Sequence, residues 1–407
     1  MVVIFFVMVK GKKILWIAVK LIIFALLLSS ARACIVPLNN LYYELFLTII
    51  CFLYMNSRNM FMWKIQAVSA AILLCILSMY TMHGASALSA YVGMFVSVLM
   101  PVLLLGLKDG VKIELFDDFS NWMAILLVLS MVFWGLYLLG VPLPHSSQAL
   151  DVEGSERYLI VDNYFFFRTE VYSNQSLFEF PRFNGFFLEP GHMGTILAFF
   201  LYANGYDLKK KRNIVFIVAI LITLSAAAYT ITVIGYVFYK AASGSLKYTV
   251  RVLLLMGILV LVALLYNGGD NVVNDLILGK LTREEGALDG RVSYETKLLY
   301  DKLWSSGDYL WGLGYVHLVN SAGFKVFFVM NGIVGVILTI LSYFKIYKTA
   351  ISKFTLFMFF LYMINFTQRT YCLWDAFLDP FILGGVYLNY VVVNKEKHNE
   401  KPVLPAD

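Results

Sequence analysis

The sequence is short of charge. Only 14% of its 407 residues are Asp, Glu, Lys or Arg, where soluble domains carry about 25%. The missing charge is replaced by apolar side chains: 60% of the chain is hydrophobic and the mean hydropathy is +0.76. No soluble fold has enough interior for that much Phe, Leu, Ile and Val. The 16% aromatic content excludes a disordered chain. Cysteine is scarce too. Cys34, Cys51, Cys75 and Cys372 lie in or beside apolar runs without metal-type spacing, so they read as small packing residues. The nine prolines include one, Pro101, well inside an apolar run. No Asp-x-Asp pair occurs, which argues against a metal-dependent reaction on a nucleotide-sugar. The net charge of +6 is spread in short clusters between apolar runs. With no basic stripe, a nucleic-acid partner is not expected.

What is present is a succession of apolar runs. They occupy about 14–33, 40–55, 61–83, 88–107, 121–141, 189–204, 213–239, 248–266, 318–344, 354–368 and 376–393. A helical span needs roughly 20 residues, and open backbone cannot sit in hydrocarbon. The continuous blocks lack the short alternating segments of a β-barrel. The expected fold is therefore an all-α polytopic membrane protein, a single integral-membrane domain over 1–407. Lys10, Lys12 and Lys13 followed by an apolar run and Ala31-Arg32-Ala33 resemble a secretory signal. Lys20 within the run and Arg32 at the cut favour an uncleaved first helix.

Basic clusters orient the spans. Placing Lys10/Lys12/Lys13, Arg58/Lys64, Lys108/Lys112, Lys209–Arg212, Lys240/Lys247, Lys345/Lys348/Lys353 and Lys395/Lys397/Lys401 in the cytoplasm leaves 142–189 and 267–316 as two long outer loops. The short outer segments are 34–39, 84–87 and 369–375. Parity then requires 213–239 to cross twice, as a short hairpin turning near Ser225-Ala226-Ala227-Ala228. This gives about twelve spans with both termini inside. An eleven-span alternative puts the second long loop in the cytoplasm.

The first long loop carries eleven aromatics between Ser155 and Glu189, from Tyr158 to Phe187. Such a segment is expected at the bilayer surface, either as interfacial anchor or as a stacking surface for sugars. It ends in RFNGFFLEPGHMG at 182–194. Pro190 suits a first helical turn, and Glu189 falls at the positive helix end. Arg182, Glu189 and His192 are thus expected to cluster where a helix begins, as an anion site with a proton-handling group. The second loop contains Asp289-Gly290-Arg291 and then the turn Trp311-Gly312-Leu313-Gly314-Tyr315, which is too loose for a nucleotide motif. Gly332-x-x-Gly335 is expected to allow close helix packing.

In this order of features the chain resembles the bacterial O-antigen and capsular polysaccharide polymerases of the Wzy type, and their relatives the O-antigen ligases. The features are RFNGFFLEPGHMG at 182–194, TLSAAAYTITVIGY at 223–236, Gly290-Arg291, WGLGY, and NSAGFKVFFVMNGIVG at 320–335. The resemblance covers about residues 120–345. It implies a GT-C-like membrane glycosyltransferase. Such an enzyme joins undecaprenyl-diphosphate-linked oligosaccharides on the outer face of the cytoplasmic (inner) membrane. It implies catalytic roles for Arg182, Glu189 and Arg291, and His192 joins them as the other group able to serve as general base. Arg168, His317, Asn320 and Arg369 are the expected substrate-binding residues. No cofactor or metal is expected. Partners would be the lipid-linked oligosaccharides, membrane lipids, a chain-length regulator and a flippase. Where the ligases have a His-Asn pair before the Gly-x-x-Gly helix, this chain has Val319-Asn320 with His317 two residues earlier, which favours polymerase over ligase. A polysaccharide or lipid transporter is the competing class, but the mid-span charges are few, chiefly Lys20 and Glu44.

Overall fold

A computed structural model describes residues 2–36, 41–151, 158–171, 182–244, 294–316 and 323–399, with residues 250 and 258. Its helices are α1 (Val2–Ser30), α2 (Leu41–Ser57), α3 (Ile65–Tyr80), α4 (Leu88–Ser97), α5 (Leu99–Gly106), α6 (Asp109–Leu138), α7 (Pro190–Ala203), α8 (Lys211–Ile222), α9 (Ala226–Ala242), α10 (Tyr294–Ser306), α11 (Phe324–Lys348), α12 (Lys353–Gln368) and α13 (Asp375–Asn399). Among the described residues four segments are long and apolar enough to cross a membrane: Lys13–Ser30, Leu88–Gly106, Asp109–Leu138 and Phe324–Lys348. Leu41–Ser57 and Ile65–Tyr80 are apolar but shorter. Ile14, Leu21, Phe46, Leu53, Ile65 and Ile72 stand exposed on the outer faces of α1 to α3. Such surfaces fit a lipid solvent rather than water. The chain is a helical membrane protein.

Helix α7 is the centre. All fourteen of its residues are buried, as expected of a helix that is apolar all round. It packs against α8, α9 and α13. The apolar run over 213–239 breaks at Thr223-Leu224-Ser225, where the Ser225 hydroxyl accepts from Ala228 N as the cap of α9. Near this turn Gly194 of α7 lies against Ala228, and at the far end of α9 Tyr239 lies against Gly205. The chain therefore doubles back between α8 and α9.

Helix α6 begins at Asp109, twelve residues before the apolar run at 121. Its charged first turns are helical because they have partners. The Lys112 ammonium donates to Leu105 O (2.9 Å). Glu114 and Asp118 hold Lys20 of α1, the former at 3.0 Å. Asp117 holds Arg212 at 2.8 Å. Glu44 accepts from the Ser29 hydroxyl at 3.0 Å. The two mid-span charges are thus tied to neighbouring helices.

The first long loop departs from an all-helical expectation. It contains a three-stranded antiparallel sheet, β1 (His145–Asp151), β2 (Tyr158–Tyr164) and β3 (Arg168–Val171), in the order β1-β2-β3. Nor do its aromatics all coat a surface. Phe167, Phe183, Phe186 and Phe187 are buried. Trp134 meets Phe183 edge-on at 5.3 Å, and Tyr164 stacks on Phe167 at 4.4 Å. These rings plug the loop onto α6, since large aromatics contribute most when desolvated. Phe165 alone among the described rings is largely exposed.

The Gly-x-x-Gly of α11 also differs from its expected role. Gly332 has φ 56 and ψ −162, non-helical values inside the helix. The turn Trp311–Tyr315 fills the break: Leu313 N donates to Val329 O (2.8 Å) and Gly314 N to Met330 O (2.9 Å). Carbonyls freed by the kink are thereby paired, as membrane depth demands. The atoms nearest a Cβ at Gly335 belong to Asn331 and Phe327 of its own helix. Gly332 serves a kink.

Candidate functional site

A cavity of about 950 Å³ opens among α1, α2, α4, α5, the sheet, the α11 kink and the segment 370–375. Its lining is mixed. Leu26, Met94, Val96, Met100, Phe327 and Met330 are among its apolar members. Arg32, Glu44, Asn163, Arg168, Asn331 and Asp375 supply polar groups. An amphipathic cavity of this size suits a ligand with an apolar tail and a polar, charged head.

The sheet explains the position of Arg168. Strand register sets Ser146 opposite Asn163, and Asn163 opposite Arg168, so the three share one row on one face. That face lines the cavity. Arg168 donates Nε to Asn163 Oδ1 (2.5 Å) and Nη1 to Arg32 O (3.5 Å). Its Nη2 makes no hydrogen bond among the described residues. Burial pushes the Arg168 guanidinium below its ordinary pKa, with the Cys34 thiol opposing the shift. Burial pushes the Cys34 thiol up, and Arg168 offsets part of that. A guanidinium remains charged under such a shift. It is therefore a positive group with incomplete solvation, suited to an anion.

Arg32 stands beside it. The sequence offered Arg32 only as an obstacle to signal cleavage. In the fold it follows the C-terminus of α1 with φ 53. Arg32 N donates to Ser29 O and Ala33 N to Leu28 O. This is the left-handed helix-ending position that glycine normally takes. A non-glycine residue there costs about 1 kcal/mol, and this one places a second guanidinium in the cavity wall. An Arg32→Gly variant is expected to match or slightly exceed the wild-type thermal midpoint, by up to about 1 kcal/mol. The same variant should weaken retention of a polyprenyl diphosphate. Calorimetry and a ligand-retention assay on the same preparation check both halves.

Of the four expected catalytic residues, two come together. Glu189 is the N-cap residue of α7 with Pro190 next, as the sequence indicated. Its Oε2 lies 3.2 Å from His192 Nε2 and 3.2 Å from Arg369 Nη1. Arg369 also donates to the Tyr371 hydroxyl at 3.2 Å, and that hydroxyl meets His192 Nε2. Tyr371 and Trp374 stand edge-on to the His192 ring at 4.5 and 5.1 Å. Gly191 makes room: a Cβ there would lie 2.2 Å from an Arg369 nitrogen. Arg369, placed among the substrate-binding candidates, is thus part of the Glu189–His192 cluster. None of the three lines the cavity. Tyr371 and Trp374 do, and so stand between cluster and cavity.

Arg182 is placed differently from its expected role. Its Nε and Nη2 donate to Thr223 O and Leu224 O, both at 3.1 Å. A positive fork thus closes the carbonyl end of α8. Arg182→Lys keeps the charge but offers a single nitrogen, so a loss of about 1 kcal/mol of stability is expected, read as a lower thermal midpoint. Arg291, His317 and Asn320 lie outside the described residues. Among the described residues no group of three or more His, Cys, Asp or Glu converges as a metal site. The chain matches no family model, no curated protein and no solved structure.

Proposed function

We propose that the chain is a glycosyltransferase of the cytoplasmic membrane that joins polyprenyl-diphosphate-linked oligosaccharides into a polysaccharide. The observation that carries this reading is the cavity lined by two arginines, Arg32 and Arg168, together with apolar side chains. A lipid diphosphate has that pattern: an apolar tail, an anionic centre and a hydroxyl-rich head. The polymerase resemblance of the sequence points to the same substrate, undecaprenyl diphosphate being the carrier it implies.

The reaction makes few demands. The hydroxyl of one lipid-linked repeat attacks the anomeric carbon of the chain on the other. The bond from that carbon to the diphosphate oxygen breaks, and its electron pair leaves with the lipid diphosphate. Charge on the leaving group grows by one. Arg168, buried in the cavity lining, can stabilise it where fixed charges count most, and Arg32 adds a more exposed positive charge. The Glu189–Arg369–His192 cluster orients Tyr371 and Trp374, whose rings form a wall on which a sugar can stack. In this reading the chain runs through about twelve spans, both termini are cytoplasmic, and a flippase and a chain-length regulator act alongside it.

Cells lacking a working copy should accumulate single lipid-linked repeats and lose the longer polymer. Gel analysis of extracted lipid-linked saccharides tests this. An unchanged length distribution contradicts the proposal.

A further inference from the structure

Asp375 is the one acidic group of the cavity wall that no role above uses and that no partner ties down. It opens α13 and is 6% exposed. Its Oδ1 has no hydrogen-bond partner. Among the described residues no Lys, Arg or His nitrogen lies within 4.0 Å of its carboxylate. An Asp in a first helical turn ordinarily caps the helix. Here the first-turn N–H of Ala376 goes instead to the Ser30 hydroxyl of α1, at 3.1 Å, so the Asp375 carboxylate is not spent on its own helix.

We infer that Asp375 is the general base of the transfer reaction, taking the proton of the attacking sugar hydroxyl inside the cavity. This rests on the glycosyl-transfer reading above and adds a catalytic residue to it. The alternatives on the wall are less suited. Glu189 is bound by Arg369 and His192 and does not line the cavity. Glu44 lines it but accepts from the Ser29 hydroxyl.

Burial first, and the neighbouring carboxylates after it, make the Asp375 carboxyl hold a proton more readily than an ordinary aspartate. Glu44 on α2 faces it. Asp379, one turn further along α13, is 1% exposed with both carboxylate oxygens unpartnered. Like charges make a carboxylate hold a proton more readily. Arg32 and Arg168 line the same cavity and serve the leaving diphosphate, while Asp375 serves the nucleophile. In the step itself the hydroxyl oxygen bonds to the anomeric carbon, the carbon–diphosphate bond breaks, and the hydroxyl proton passes to Asp375. It is later released to water.

The test uses the full chain in lipid nanodiscs with polyprenyl-diphosphate-linked oligosaccharide as both donor and acceptor. Asp375→Asn keeps the shape and removes a buried carboxyl that has no partner on Oδ1, so its thermal midpoint should not fall. Its kcat should drop about a hundredfold or more, with KM changed less than about twofold and retention of a fluorescent polyprenyl diphosphate unchanged. Asp375→Glu should recover activity at least about tenfold over the Asn variant, since it restores the base. Wild-type kcat in the Asn variant overturns the assignment. So does equal inactivity of the Asn and Glu variants together with lost polyprenyl-diphosphate retention, which marks a structural role. Absence of any transfer by the wild-type chain is a separate outcome: it removes the glycosyl-transfer reading and the base with it.

Discussion

Replacing Arg168 by alanine is expected to cut polymer formation by about a thousandfold while leaving the helical core folded. The sheet puts Arg168 in a row with Ser146 and Asn163 on the cavity face. Asn163 and the Arg32 carbonyl hold two of its nitrogens. A guanidinium fixed in advance stabilises charge without reorganising during the reaction. Truncation removes the charge and also frees Asn163. Arg168→Lys should recover little, because an ammonium cannot fork two oxygens while bonding Asn163. Steady-state transfer by purified variants decides the matter. Near-normal turnover in Arg168→Ala would mean that the diphosphate is stabilised elsewhere.

The second large effect is on folding. Gly332→Ala should cost about 3 kcal/mol or more. The backbone there has φ 56, and a Cβ would lie 2.5 Å from Gly312 N and 2.6 Å from Leu310 O. The turn that pairs the Val329 and Met330 carbonyls would have to withdraw. Those carbonyls would lose their partners in an environment with no water to replace them. Asn331, just before the kink, lines the cavity, so loss of the turn should also distort the site. The expected readout is a clearly lowered thermal midpoint together with lost transfer. A variant as stable as wild type would show that the kink is not held by the turn.

These two residues show how far the sequence could be read. Among the described residues the apolar runs located the helices except α10, which falls in the expected loop 267–316, and Glu189-Pro190 located the start of α7, because both signals are local; the run at 248–266 lies outside the described residues apart from 250 and 258. Small residues near 225 marked the turn between α8 and α9. The run starting at 121 underestimated α6. The charged turns from Asp109 onward are helical only because Lys20 and Arg212 reach them from 98 and 95 residues away. The site was harder still. Arg168 meets the Arg32 carbonyl across 136 residues, and Ser30 meets Ala376 across 346. No periodicity encodes such pairings. Arg369 was named as a binding residue without its partners, and Arg182 was grouped with Glu189 although its guanidinium bonds the carbonyls of the α8–α9 turn. Arg32 carried one usable signal, a positive residue directly after an apolar helix. Asp375 carried another, an acid at the mouth of a span with no basic neighbour in sequence.

The central claim is that the purified chain itself joins lipid-linked saccharides. The most direct measurement incubates it with polyprenyl-diphosphate-linked oligosaccharide repeats alone and resolves the products by size. The account predicts a ladder whose steps are one repeat unit, with free lipid diphosphate released at each addition. Transfer only when lipid A core is supplied, or no product with the substrate intact, would contradict it.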